Sequence, residues 1–150
     1  MARIDLKTGI TPSIFDRLLD GEPANNREPV NAQFQDLRQL EASVARDLEA
    51  LLNTKRESLD ELPEEFAEVN RSLLTYGLPD FTILSLDNLD DRSRILRSVE
   101  QVIADFEPRL ESVRVAIEPP RPHDRGLRFR IEAMLRVDPA PAPVTFDAML

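Results

Sequence analysis

The sequence predicts an α+β fold, with N-terminal helices packed on one face of a C-terminal three-stranded antiparallel sheet. Three observations carry this prediction. Two segments before residue 107 place apolar residues at helical spacing. From Ser112 onward the apolar residues alternate instead, as on a strand with one buried face. Two proline-rich connections, "PPRPHDRG" and "DPAPAP", cut that alternating third into three strands.

Residues 1–33 read as an N-terminal arm and residues 34–150 as the folded domain. Within the arm, "TPSIFDRLLDG" predicts a short helix. Pro12 suits its first turn, Ile14, Phe15, Leu18 and Leu19 form an apolar face, and Gly21 stops it. The polar "EPANNREPVN" reads as a linker. A long helix follows from Phe34 to about Arg56, with Leu37, Leu40, Val44, Leu48, Leu51 and Leu52 on one stripe. A shorter helix is expected from about Pro63 to Leu74, ended by Gly77, before the turn "YGLPDF". The next helix runs from Asp90 to Phe106. Asp90 and Asp91 suit its positive N-terminal end, and Ile95, Val99, Val102, Ile103 and Phe106 form its buried face. The strands then have Val113, Val115 and Ile117, next Leu127 to Val137 at alternate positions, and last Val144, Phe146 and Ala148 on the inward side.

With 150 residues and 41% hydrophobic content, the chain is long enough for a real core. It contains no cysteine, which excludes disulfides and thiolate metal sites. No stretch reaches the roughly 18 apolar residues of a membrane span, and "MARIDLKTGI" lacks a signal-peptide core. The expected setting is the cytoplasm. A net charge of -9 argues against nucleic acid as a partner. Residues 109–136 nonetheless carry Arg109, Arg114, Arg121, Arg125, Arg128, Arg130 and Arg136 and no lysine, a pattern open to reading as a protein interface or as a solvated sheet face.

Catalytic and cofactor motifs are missing from the sequence. His123 is the single histidine and sits in a proline-rich turn, where a bystander role is expected. The four glycines are scattered and form no phosphate loop. Glu41, Asp47 and Glu49 lie on a predicted helix and could supply a carboxylate for glycoside hydrolysis. That chemistry needs two carboxyls about 5 to 9.5 Å apart in a sugar cleft. The absence of Trp and the single Tyr76 leave few platforms for sugar rings. Neither a cofactor nor a metal is expected, and the chain reads as a non-enzyme.

Two features point to partners. In "FEPRL", Pro108 ends the helix and stiffens the corner, so that Glu107 and Arg109 are expected to project as a rigid polar knob with little entropy to lose on docking. A three-stranded sheet also leaves two edges, templates for another chain's strand. The last strand, around Val144, Thr145, Phe146 and Asp147, is the candidate, with Pro141 and Pro143 partly blunting it.

Four stretches, "SVARDLEALLNTKR", "SLLTYGLPDF", "FEPRLESVRV" and "LRFRIEAML", occur in the order and at the spacing found in one family. Together they resemble the baseplate wedge family of contractile injection machines, the GPW or "lysozyme-like" family, and above all its type VI secretion members of TssE type. The resemblance implies a structural subunit that docks on the TssF–TssG wedge through Glu107, Pro108 and Arg109, with TssK as a further candidate neighbour. It also implies that the terminal sheet, at Val144, Thr145, Phe146 and Asp147, offers a start for polymerising the TssB–TssC sheath. The place implied is cytoplasmic, at a baseplate docked to the inner membrane complex, without membrane insertion. The competing function classes are a peptidoglycan hydrolase and a small regulatory adaptor on a similar fold.

Overall fold

The computed structural model describes residues 10, 13–18, 37–56, 68–69, 72–119 and 126–149. The fold is α+β, as predicted. Helix α1 spans Ile14–Leu18, α2 Leu37–Leu52 and α3 Leu89–Phe106; strands β1, Leu110–Glu118, β2, Arg128–Leu135, and β3, Ala142–Met149, follow. The strands form one antiparallel sheet in the order β1-β2-β3. Helix α3 packs on β1, while α2 lies against α3 and β3.

The core follows the apolar pattern. Leu40, Val44, Leu48, Leu51 and Leu52 of α2 and Ile95, Val99, Val102 and Ile103 of α3 are buried. They meet Phe129, Ile131, Ala133 and Leu135, the inward residues of the central strand. Helix α3 starts as its chemistry requires: Asn88 Oδ1 accepts from the Asp90 amide at 2.9 Å, with Asp90 and Asp91 in the first turn. Phe106 is half-buried and meets Tyr76 edge-on, with ring centroids 5.3 Å apart.

Strand β1 carries a bulge. Glu111 pairs with Met134, but Arg114 pairs with Glu132, so β1 holds one more residue than β2 over this interval. Ser112 sits there with φ 54. Side chains alternate strictly along a regular strand, so Leu110 and Val115, five apart, would face opposite sides. The extra residue lets both be buried, at 5% and 8% exposure.

Several details differ from the sequence expectations. The end of the predicted 63–74 helix is a 3-10 turn, Leu73–Thr75, capped by Ser72; most of the remainder lies outside the described residues. Gly77, with φ +99 immediately after the cap residue Tyr76, ends this turn and also serves a close approach. Any Cβ there would strike the Thr54 carbonyl, whose oxygen accepts from the Leu78 amide at 2.8 Å. Strand β3 begins earlier than expected, at Ala142, with Pro143 inside it on an edge strand. The 136–141 connection contains a cis Asp138–Pro139 bond. The linker "EPANNREPVN", Pro12, Leu19, Gly21 and His123 lie outside the described residues.

The largest local difference is α1, which is reversed with respect to its predicted face. Ile14, Phe15 and Leu18 are exposed at 77%, 56% and 76%, whereas the Asp16 side chain is only 6% exposed. Periodicity located the helix but assigned its inner side to apolar residues. The polar ties of Asp16, described next, override that assignment.

Candidate docking corner and sheet edge

The corner grows out of the last turn of α3. The Glu107 amide completes the helix by donating to the Ile103 carbonyl at 2.8 Å, and Pro108 prevents another turn. The chain reverses at once: the Leu110 amide donates to the Glu107 carbonyl at 3.1 Å, and the Arg136 amide donates to the Arg109 carbonyl at 2.9 Å. The corner is thus fixed to both the helix and the end of β2.

Contrary to the expectation that both charged groups project, Glu107 is turned inward and is 3% exposed. Its carboxylate accepts from Arg109 three times: Nε to Oε1 at 2.7 Å, Nη2 to Oε2 at 2.5 Å, and the backbone amide to Oε1 at 3.1 Å. The physical reason is that a buried carboxylate needs several donors, and the guanidinium two residues away supplies a matching fork. Arg109 also reaches α2, donating from Nη2 to Asp47 Oδ2 at 2.5 Å and from Nη1 to Ser43 Oγ at 3.3 Å. Hydrogen bonding to Glu107 holds the guanidinium more firmly protonated than usual, against the opposing effect of burial. Pro108 is the exposed tip of the corner, and the Arg109 side chain remains 25% exposed.

The network continues into the arm. Asp16 accepts from Ser43 Oγ at 2.8 and 2.9 Å and from Arg46 Nη2 at 2.7 Å. It also caps its own helix with Ser13, whose Oγ accepts from the Asp16 amide at 3.1 Å. Burial alone would push the Asp16 carboxyl up. The hydrogen bonds from Ser13, Arg46 and Ser43 outweigh this and hold it below the usual carboxylate range. Arg46 is shared with Asp47 Oδ1 at 2.9 Å, and the Phe15 ring lies 5.2 Å from its guanidinium carbon. Burial, then the charges of Asp47 and Glu107, raise the Tyr76 phenol. Sequence reasoning missed Asp16, Ser43 and Arg46. The available signal was a serine beside Val44 within an otherwise apolar stripe, followed by Arg46 and Asp47 one turn later.

The four predicted edge residues divide by face. Val144 is buried in the core and Phe146 is half-buried against it, while Thr145 and Asp147 are exposed on the outer face. Val144 therefore cannot meet a partner without leaving the core, and a strand added here would use backbone groups. Among the described residues the two sheet edges differ. Helix α3 covers part of the β1 edge: Glu100 Oε1 accepts from the Val115 amide at 2.9 Å, and Arg92 Nη2 lies 3.4 Å from the Ile117 carbonyl. Strand β3 pairs with β2 alone among the described strands. Beside it a groove of about 670 Å³ runs along α2, with Ala42, Ala45 and Glu49 on one wall and Phe146 and Ala148 on the other.

Within the 109–136 run, Arg109, Arg130 and Arg136 pair with carboxylates. Arg130 Nη2 pairs with Glu118 at 2.6 Å and its Nε lies 3.6 Å from Asp147, and Arg136 pairs with Glu111 at 3.1 Å. This favours the sheet-face reading for Arg130 and Arg136; Arg121 and Arg125 lie outside the described residues. Asp47, one of the carboxylates considered for hydrolysis, is engaged by two arginines. Among the described residues no cluster of His, Asp and Glu is arranged to hold a metal ion, and no helix is long and apolar enough to cross a membrane.

Comparison with known proteins places this architecture. No curated protein matches the chain. A solved structure described as "The baseplate complex from the type VI secretion system" contains a chain that is 21% identical, with a TM-score of 0.48; the match covers 75% of this chain and 95% of that one. The model of one family, described as "Baseplate wedge protein gp25", matches residues 38–140, from the start of α2 through the connection after β2. On that match, the chain belongs to the baseplate wedge protein gp25 family.

Proposed function

We propose that the chain is a non-enzymatic structural subunit of a type VI secretion baseplate, docked on the TssF–TssG wedge through the Glu107–Pro108–Arg109 corner. The observation that carries this reading is the corner's construction. A buried carboxylate just past α3 and a guanidinium tied to it and to α2 hold an exposed proline at the tip, so docking would cost little ordering entropy. The family supports the baseplate role, and the four sequence stretches support the type VI assignment. In this reading β3, rather than the partly covered β1, offers its edge to the TssB–TssC sheath. The subunit works on the cytoplasmic side of a baseplate held at the inner membrane complex, and TssK is a neighbour there.

Because Glu107 is buried, alanine at that position would disturb the fold as well as the surface. The cleaner test is Pro108→Asp, which alters the exposed tip. Co-purification with TssF–TssG should be lost while the thermal unfolding midpoint stays within a few degrees of wild type. Normal wedge assembly by a folded Pro108→Asp protein would refute docking through the corner.

A further inference from the structure

We propose that α1 is a latch that sets the posture of the corner, acting through the Ser43 hydroxyl. A serine hydroxyl has one proton to donate and two lone pairs to accept with. At Ser43 all three are committed: the proton goes to Asp16, and the oxygen accepts from Arg46 Nη2 and Arg109 Nη1, both at 3.3 Å. Seating Asp16 therefore turns the Ser43 lone pairs towards the two arginines. Without Asp16, the rotor is free to turn away. Arg46, having lost its Asp16 partner, then competes for Asp47, the second anchor of Arg109.

The ends of this relay are distant in sequence, with Asp16 and Ser43 separated by 27 positions and Ser43 and Arg109 by 66. They converge on one face of α2. Ile10 packs against the core just before α1, so the arm has an apolar as well as a polar attachment. Ile14 and Leu18 of α1 face outward, while Asp16 ties the helix to α2, with the Phe15 ring beside it against Arg46. Any use of the latch in assembly rests on the docking role proposed above. The coupling itself belongs to the isolated chain and is tested there, so the two can fail separately.

The reporter is the Arg109 amide, which donates to Glu107 Oε1 and is held only while that side chain keeps its place. Hydrogen exchange of the full chain, followed by NMR, should show this amide roughly tenfold faster in Asp16→Asn, the size expected when a charged hydrogen bond is weakened. The Arg109 Nε–H resonance should shift in the same variant. In a Ser43→Ala background, Asp16→Asn should have no further effect on either signal. The proposal is overturned if Asp16→Asn speeds exchange in residues 13–18 while both Arg109 signals stay as in wild type. It is equally overturned if Asp16→Asn still perturbs them fully once the Ser43 hydroxyl is gone.

Discussion

Arg109 and Asp47 meet across 62 positions of sequence, Nη2 to Oδ2 at 2.5 Å, and this contact fastens the helix-to-sheet corner to α2. It matters because the same guanidinium neutralises Glu107, which has almost no access to water. The corner is therefore a polar joint inside the protein as well as a surface feature.

The first prediction follows from that double duty. Arg109→Met should destabilise the protein by about 3 kcal/mol, because it leaves a buried carboxylate without its counter-charge. For a chain of this size that corresponds to a fall of roughly 10 °C in unfolding midpoint, measurable by circular dichroism. Glu107→Gln with Arg109→Met should cost less than the two single substitutions added together, since neither buried charge then remains. Strict additivity would show that the pair does not interact energetically.

A second prediction concerns acid. The folded Asp16 carboxyl titrates below its ordinary value of 3.8, so the unfolded chain takes up its proton first as pH falls. The stability that Asp16 contributes is thus fully present above about pH 5 and is lost on descending through 3.8 and below. Urea denaturation between pH 2 and 7 should show Asp16→Asn less stable than wild type near neutrality, with the two curves converging in acid. A constant offset across the range would contradict the assigned role of the ionised carboxylate. Asp80, lowered by its hydrogen bond with Lys55, is present in both proteins and cancels from the difference.

Gly77 provides the third. Alanine there must adopt φ near +99 and meets the Thr54 carbonyl carbon within 2.9 Å. Backbone strain of this kind costs about 1–3 kcal/mol before any steric shift is counted. The loss should appear in the urea midpoint and in faster exchange of the Leu78 and Arg56 amides, which close this loop on Thr54 and Leu78. An unchanged midpoint would mean that the loop moves away without cost.

The fold was legible because its main signals are repetitive. The α2 stripe, the α3 stripe with its acidic first turn, and the alternation of Phe129, Ile131, Ala133 and Leu135 each repeat one message several times. Single polar residues give no such redundancy. Nothing in the spacing of "IFDRL" says that Asp16 turns inward, because the reason lies on α2, in Ser43 and Arg46. The position of the corner was also legible, as a proline between opposite charges that ends α3. Its inward carboxylate was not, since that depends on Asp47 and Ser43 arriving from the other side. The unequal sheet edges were hidden for the same reason: Glu100 caps the Val115 amide from a different element.

The extra residue at Ser112 has a consequence for how variation in this chain is tolerated. It works as a phase shifter between two independently wound parts, the helix end and the pleated sheet. Deleting Ser112 would restore an even pleat with Leu110 and Val115 four apart, on the same face, so that both could stay in the core. The same loss in β2, which pairs with β3 without a break in register, would instead turn part of the row Phe129, Ile131, Ala133 and Leu135 outward. Single deletions between residues 111 and 114 should therefore be milder than single deletions within β2.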